Sequence, residues 1–179
     1  GLQSRAAVGL SAALIVPLLT NSPTENYFGL LLYLSAIAVG YVWLIWFKGW
    51  RTILSLLLIG IVIYLVPLTT SYRVQNNPEL SMLFLQFSLF FTLLLFTANL
   101  ATLIKNRISD MWEILVAVTL GIFTFVWINQ LVSPHLQGLV STAMSLCFVL
   151  GSYVSSRISS TRNPVLVYAA IGVSLLAGA

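Results

Sequence analysis

Long uncharged apolar runs, broken only by short charged or polar clusters, leave this chain very few ways to fold. A helix rises about 1.5 Å per residue, so about 20 apolar residues cross the hydrocarbon core of a bilayer. Seven segments approach that length: 6–20, 27–47, 52–71, 80–104, 111–132, 136–156 and 164–179. None has a charged residue in its middle, and Glu113 stands in a first turn, where a helix dipole tolerates an acid. Membrane-spanning strands would need about ten residues of alternating polarity, which the runs lack. The expected fold is an all-α polytopic transmembrane bundle of about seven spans, built from helical hairpins within one domain, 1–179.

Composition agrees. Hydrophobic residues make up 59% of the chain and charged residues 7%, against about 25% charged in soluble domains. A water-soluble domain could not hide that much apolar surface, so the lipid bilayer is the first expected partner. The net charge of +4 is then a topology signal, and nucleic acid is not an expected partner. Cys147 has no second cysteine in this chain, which leaves neither an internal disulfide nor a Cys-based zinc site; no metal and no cofactor is expected. The first residue is Gly1, and the last run is still apolar at Ala179, which reads as a piece of a longer chain. The opening run lacks a clear small-x-small cleavage pattern, so a span is preferred to a signal peptide.

Orientation follows from the basic residues. Arg5, Lys48, Arg51, Lys105, Arg107, Arg157 and Arg162 fall on one side, and Arg73 alone on the other. The positive-inside rule makes the first side cytoplasmic, together with the N-terminus. The opposite face receives Glu25, Glu79, His135, Asn21, Asn26, Asn76, Asn77 and Gln137. A faint repeat has the same geometry: Val16-Pro17-Leu18-Leu19-Thr20 recurs as Val66-Pro67-Leu68-Thr69-Thr70, and a third outer turn carries Ser133-Pro134. Duplicated hairpins would produce it, as would the frequency of proline near span ends. Pro17 and Pro67 either kink or end their spans, or break them beside a binding site.

Polar residues within the spans form two stripes. Ser81, Ser88, Thr92, Asn99 and Thr102 recur at helical spacing in the fourth segment, and Gly138, Ser141, Ser145, Ser152 and Ser155 in the sixth. Lipid offers such groups no partner, so they are expected to face other helices as packing seams; a polar substrate path is the functional alternative. Asn99, Gln86, Asn129 and Gln130 are the path candidates. At the outer boundary Asn129, Gln130 and His135, with Glu25, Arg73 and Glu79 on neighbouring turns, could form a pocket. A carboxylate beside a histidine is the minimum for general acid and base chemistry, which makes His135, Glu25 and Glu79 the catalytic candidates, although any wet loop holds such residues. Tyr41, Trp43, Trp46, Phe47 and Trp50 beside Lys48 and Arg51 read as an interfacial aromatic belt. Phosphate-binding glycine loops, HExxH and the G-x-S-x-G elbow are missing from the sequence.

Across 16–54, Pro17-Leu18-Leu19, Asn26, Leu31-Leu32-Tyr33-Leu34, Gly40 and Trp50-Arg51 form a cadence. It resembles a widespread family of bacterial multi-spanning membrane proteins known only as a domain of unknown function. The resemblance covers about a fifth of the chain. It implies a bacterial inner-membrane location and a long array of hydrophobic helices, and carries no catalytic residues. The leading functional expectation is a non-enzymatic scaffold, or a component of an envelope or transport assembly, whose partners are other membrane subunits or further parts of its own chain. The alternatives are a carrier of a neutral or lipid-like substrate and a membrane-embedded enzyme with an outward-facing site.

Overall fold

A computed structural model describes residues 1–20, 27–71, 74, 76–106, 111–158 and 163–178. The described residues form seven α-helices and no strand: α1 (Leu2–Thr20), α2 (Tyr27–Lys48), α3 (Arg51–Thr69), α4 (Pro78–Asn106), α5 (Met111–Leu131), α6 (Pro134–Ile158) and α7 (Asn163–Ala177). The helices α2 to α6 are long and apolar enough to cross a membrane, whereas the apolar parts of α1 and α7, Leu2–Pro17 and Pro164–Ala177, are shorter. At 29 residues, α4 extends roughly 43 Å, well beyond a hydrocarbon core of about 30 Å.

Local chemistry sets the helix ends. The Asn77 Oδ1 accepts from the main-chain N–H groups of Glu79 (3.1 Å) and Leu80 (3.3 Å). Asn77 is thus an N-cap, followed by Pro78 at the first helical position and Glu79 in the first turn. Glu79 consequently belongs to α4, and His135 to the first turn of α6 behind Pro134, where loops were expected. The α2 helix ends on Gly49, whose φ of +67° is a left-handed conformation that disfavours side chains; its N–H donates to Ile45 O at 2.7 Å. Lys105 from the end of α4 reaches the last carbonyls of α2, donating to Trp46 O (3.3 Å) and Phe47 O.

Consecutive helices pack against one another, so the chain runs as a series of antiparallel hairpins. The most extensive interface joins α6 to α7, and α5 touches α3, α4, α6 and α7. The turns at Lys48 and Lys105 lie at one end, called here the basic end; Gln3 Nε2 donating to Thr52 Oγ1 brings the starts of α1 and α3 to the same end.

Pro17 and Pro67 lie inside α1 and α3 and do not divide them. Proline has no N–H for the carbonyl four residues back, and in α1 that carbonyl, Ala13 O, accepts from the Tyr33 hydroxyl of α2 at 2.9 Å. A neighbouring helix thus supplies the donor that the proline removes. The Tyr41 and Tyr64 hydroxyls donate to α1 as well, at Ala6 O (3.3 Å) and Leu14 O.

Candidate functional site

The two polar stripes face inward. Ser88, Thr92, Asn99 and Thr102 of α4 are buried, as are Ser141, Ser145, Ser152 and Ser155 of α6. In α6 the stripe closes on α7, where the Ser145 hydroxyl donates to Gly172 O (2.6 Å) and the Ser152 hydroxyl to Val165 O (2.9 Å). Small residues permit this approach: a Cβ at Gly172 would stand 2.8 Å from Val149 Cγ2 and 3.2 Å from Ser145 O, and one at Gly151 2.7 Å from Phe96 Cζ. Phe96, thus seated, meets Phe148 and Tyr168 edge to face, with ring centroids 5.3 and 5.7 Å apart. In α4, Thr92 Oγ1 accepts from the buried Trp127 Nε1 of α5 at 3.1 Å.

Nearer the basic end the polar groups of three helices converge. Asn99 of α4 (2% exposed), Glu113 of α5 (4%) and Tyr168 of α7 (2%) are all enclosed. The Asn99 Nδ2 donates to the Glu113 main-chain carbonyl at 3.2 Å and to the Tyr168 hydroxyl at 2.6 Å. A carbonyl only accepts, so the amide NH₂ must face it, and both of its hydrogens are committed. The Asn99 Oδ1 therefore points away from these partners, and among the described residues nothing donates to it. Asn99 is also among the residues that line a small, apolar-walled cavity of about 10 Å³, with Glu113, Ala117, Pro164, Val167 and Tyr168. Glu113 does lie in a first turn, as the sequence indicates, but it is covered by protein there.

The other candidates do not join this cluster. Glu79, Gln86, Asn129, Gln130 and His135 are exposed on the bundle, and Glu25 and Arg73 lie outside the described residues. Gln86 faces outward from α4, so it does not share an interior path with Asn99. The bond of Asn129 is local, to Phe125 O at 2.8 Å, and Gln137 Nε2 donates to Val132 O at 3.1 Å. Among the described residues no group of three or more His, Cys, Asp or Glu could hold a metal ion. Of the path candidates, only Asn99 is buried.

Sequence reasoning missed Tyr168 and the enclosure of Glu113. Two signals were available: Glu113 is the one acid inside the apolar segments as drawn from sequence, and Tyr168 is the one aromatic residue in the last of them. Neither signal shows that the two helices meet. A larger groove of about 660 Å³ lies on the periphery between α5 and α7, lined by apolar side chains with Gly121, Ala170, Ser174 and Gly178.

The sequence matches, over residues 3–179, a family described as a predicted membrane protein (DUF2339). Among curated proteins and among solved structures, no significant match to the chain was found.

Proposed function

The chain belongs to the DUF2339 family of predicted membrane proteins, and from that premise we propose that its bundle is a non-enzymatic membrane scaffold, a structural component of a larger envelope or transport assembly. The observation that carries this reading is the closure of the α6 serines on the α7 backbone. Hydroxyls held against a neighbouring main chain join helices; they are not free to solvate a passing substrate. The groove between α5 and α7 supports the assembly part. Ala170, Ser174 and Gly178 recur there every four residues, a spacing that lets a further transmembrane helix of another subunit approach closely.

The bacterial inner membrane is the proposed location, with the basic end and the N-terminus in the cytoplasm, because cytoplasmic loops collect Lys and Arg. Cysteines at Lys48 and Lys105 should resist an impermeant reagent added outside intact cells; labelling there reverses the orientation.

Substituted-cysteine accessibility tests the scaffold reading. In a Cys147→Ala background, Ser145→Cys and Ser152→Cys should stay unlabelled by a small water-soluble thiol reagent in proteoliposomes, while His135→Cys is labelled readily. Labelling of the two serine positions at rates near that of His135→Cys would mean a wet path through the bundle, and the carrier reading would replace this one.

A further inference from the structure

We propose that the turn joining α2 to α3 is a binding site for an anionic phospholipid, whose headgroup phosphate pairs with Lys48 and Lys105 while its acyl chains lie along the aromatic face of α2. Two independent observations carry it, and the first is a cluster of cations without a described counter-ion. Lys48 closes α2 and Arg51 opens α3, and both Lys48 and Lys105 are exposed. The Lys105 ammonium donates to Trp46 O and Phe47 O, which seats it against the peptide that joins Phe47 to Lys48 and leaves a third N–H for a ligand. Arg5 adds an exposed cation at the same end, where residues on either side of it are tied down, Gln3 to Thr52 and Ala6 to Tyr41. The described acids lie elsewhere, Glu79 at the far end of α4 and Glu113 enclosed in the bundle.

The second observation is the surface around that cluster. Trp43, Trp46 and Phe47 are exposed on α2 at spacings of three and four, which puts them on one helix face, and the Trp43 and Phe47 rings are 5.1 Å apart. Indole rings favour the headgroup level of a bilayer, so the adjoining lysines stand at the depth of lipid phosphates. The carbonyls at the end of α2, which would repel an anion, already have donors: Gly49 N–H at Ile45 O, Lys105 at Trp46 O and Phe47 O, and Asn106 Nδ2 at Gly49 O (3.5 Å). An incoming phosphate therefore meets ammonium groups and not bare carbonyls. Charge complementarity decides the occupant, because clusters of Lys and Arg beside a transmembrane helix attract anionic lipid, whereas a zwitterionic headgroup brings an ammonium that the same lysines repel.

The test is photo-crosslinking of the purified full chain in phosphatidylcholine nanodiscs that carry a trace of either phosphatidylglycerol or phosphatidylcholine with a diazirine in the acyl chain, the adducts being mapped by mass spectrometry. Segment 43–50 should gain several-fold more adduct from phosphatidylglycerol than from phosphatidylcholine, and segment 136–139 at the opposite rim should gain the same from both. Lys48→Gln should bring the two yields at 43–50 together, and Lys48→Arg should keep them apart. Raising sodium chloride should narrow the difference in the unmodified chain, which covers the case in which Lys48→Gln fails to fold. Equal yields from the two lipids at 43–50 in the unmodified chain would overturn the proposal, as would a preference that Lys48→Gln leaves unchanged. So would suppression of the phosphatidylglycerol adduct by inorganic phosphate beyond that by chloride of equal ionic strength, since that would assign the lysines to a soluble anion.

Discussion

One rim of this bundle and its interior near the basic end use polar residues in opposite ways. At the rim bearing His135, Glu79, Asn129 and Gln130 the polar side chains are numerous and exposed, and among the described residues the amide of Asn129 bonds to its own helix. Inside the bundle near the basic end they are few and enclosed, and one amide joins α4 to both α5 and α7. Density of polar residues in the sequence tracks contact with water; convergence of helices makes a site. A single asparagine in the bundle thus has more structural consequence than a cluster of polar groups at its rim.

The largest effect should come from removing that asparagine. Asn99→Leu keeps the approximate volume and deletes both donors, so that the Glu113 carbonyl loses its interhelical bond and the buried Tyr168 hydroxyl the donor from Asn99. A buried group so stranded costs about 1–3 kcal/mol, and the loss should appear as a lower midpoint of thermal unfolding in nanodiscs. Asn129→Leu at the rim should stay within about 0.5 kcal/mol of the parent. Comparable losses at the two positions would erase the contrast between rim and interior.

Next in size is Ser145→Ala, which deletes the bond to Gly172 O. Interhelical hydrogen bonds in membranes average about 0.6 kcal/mol, so a loss of that order is expected by the same measurement. His135→Ala and Glu79→Gln should move stability by less than about 0.5 kcal/mol. Ser88→Ala should be neutral or slightly stabilising, because its buried hydroxyl has no partner among the described residues and nothing is lost with it. A clear destabilisation by Ser88→Ala would reveal a bond that the α4 seam is not described as making.

Much of this architecture is legible in local sequence. Apolar run length places the helices, Asn77-Pro78-Glu79 marks the start of α4, and Gly49 marks the end of α2, because caps and span lengths depend on neighbouring residues alone. The serine spacing of α6 likewise identifies a buried face. The enclosed cluster is not legible in that way. Glu113 and Tyr168 are separated by 55 positions, and the burial of a first-turn acid depends on where α7 docks beside α5. Gln86 illustrates the same point from the other side. Its polarity suggests an inward position, but its place on the α4 wheel lies off the stripe that runs through Ser88, Thr92 and Asn99.

The central claim, that polar side chains hold this bundle together across helices near its basic end, is tested most directly by a double-mutant cycle on Asn99→Ala and Tyr168→Phe in nanodiscs. The bond between these residues predicts that the two losses are not additive, with a coupling of about 0.6 kcal/mol and at most about 1.7 kcal/mol. Losses that add within error would contradict it, because the amide and the phenol would then be contributing separately.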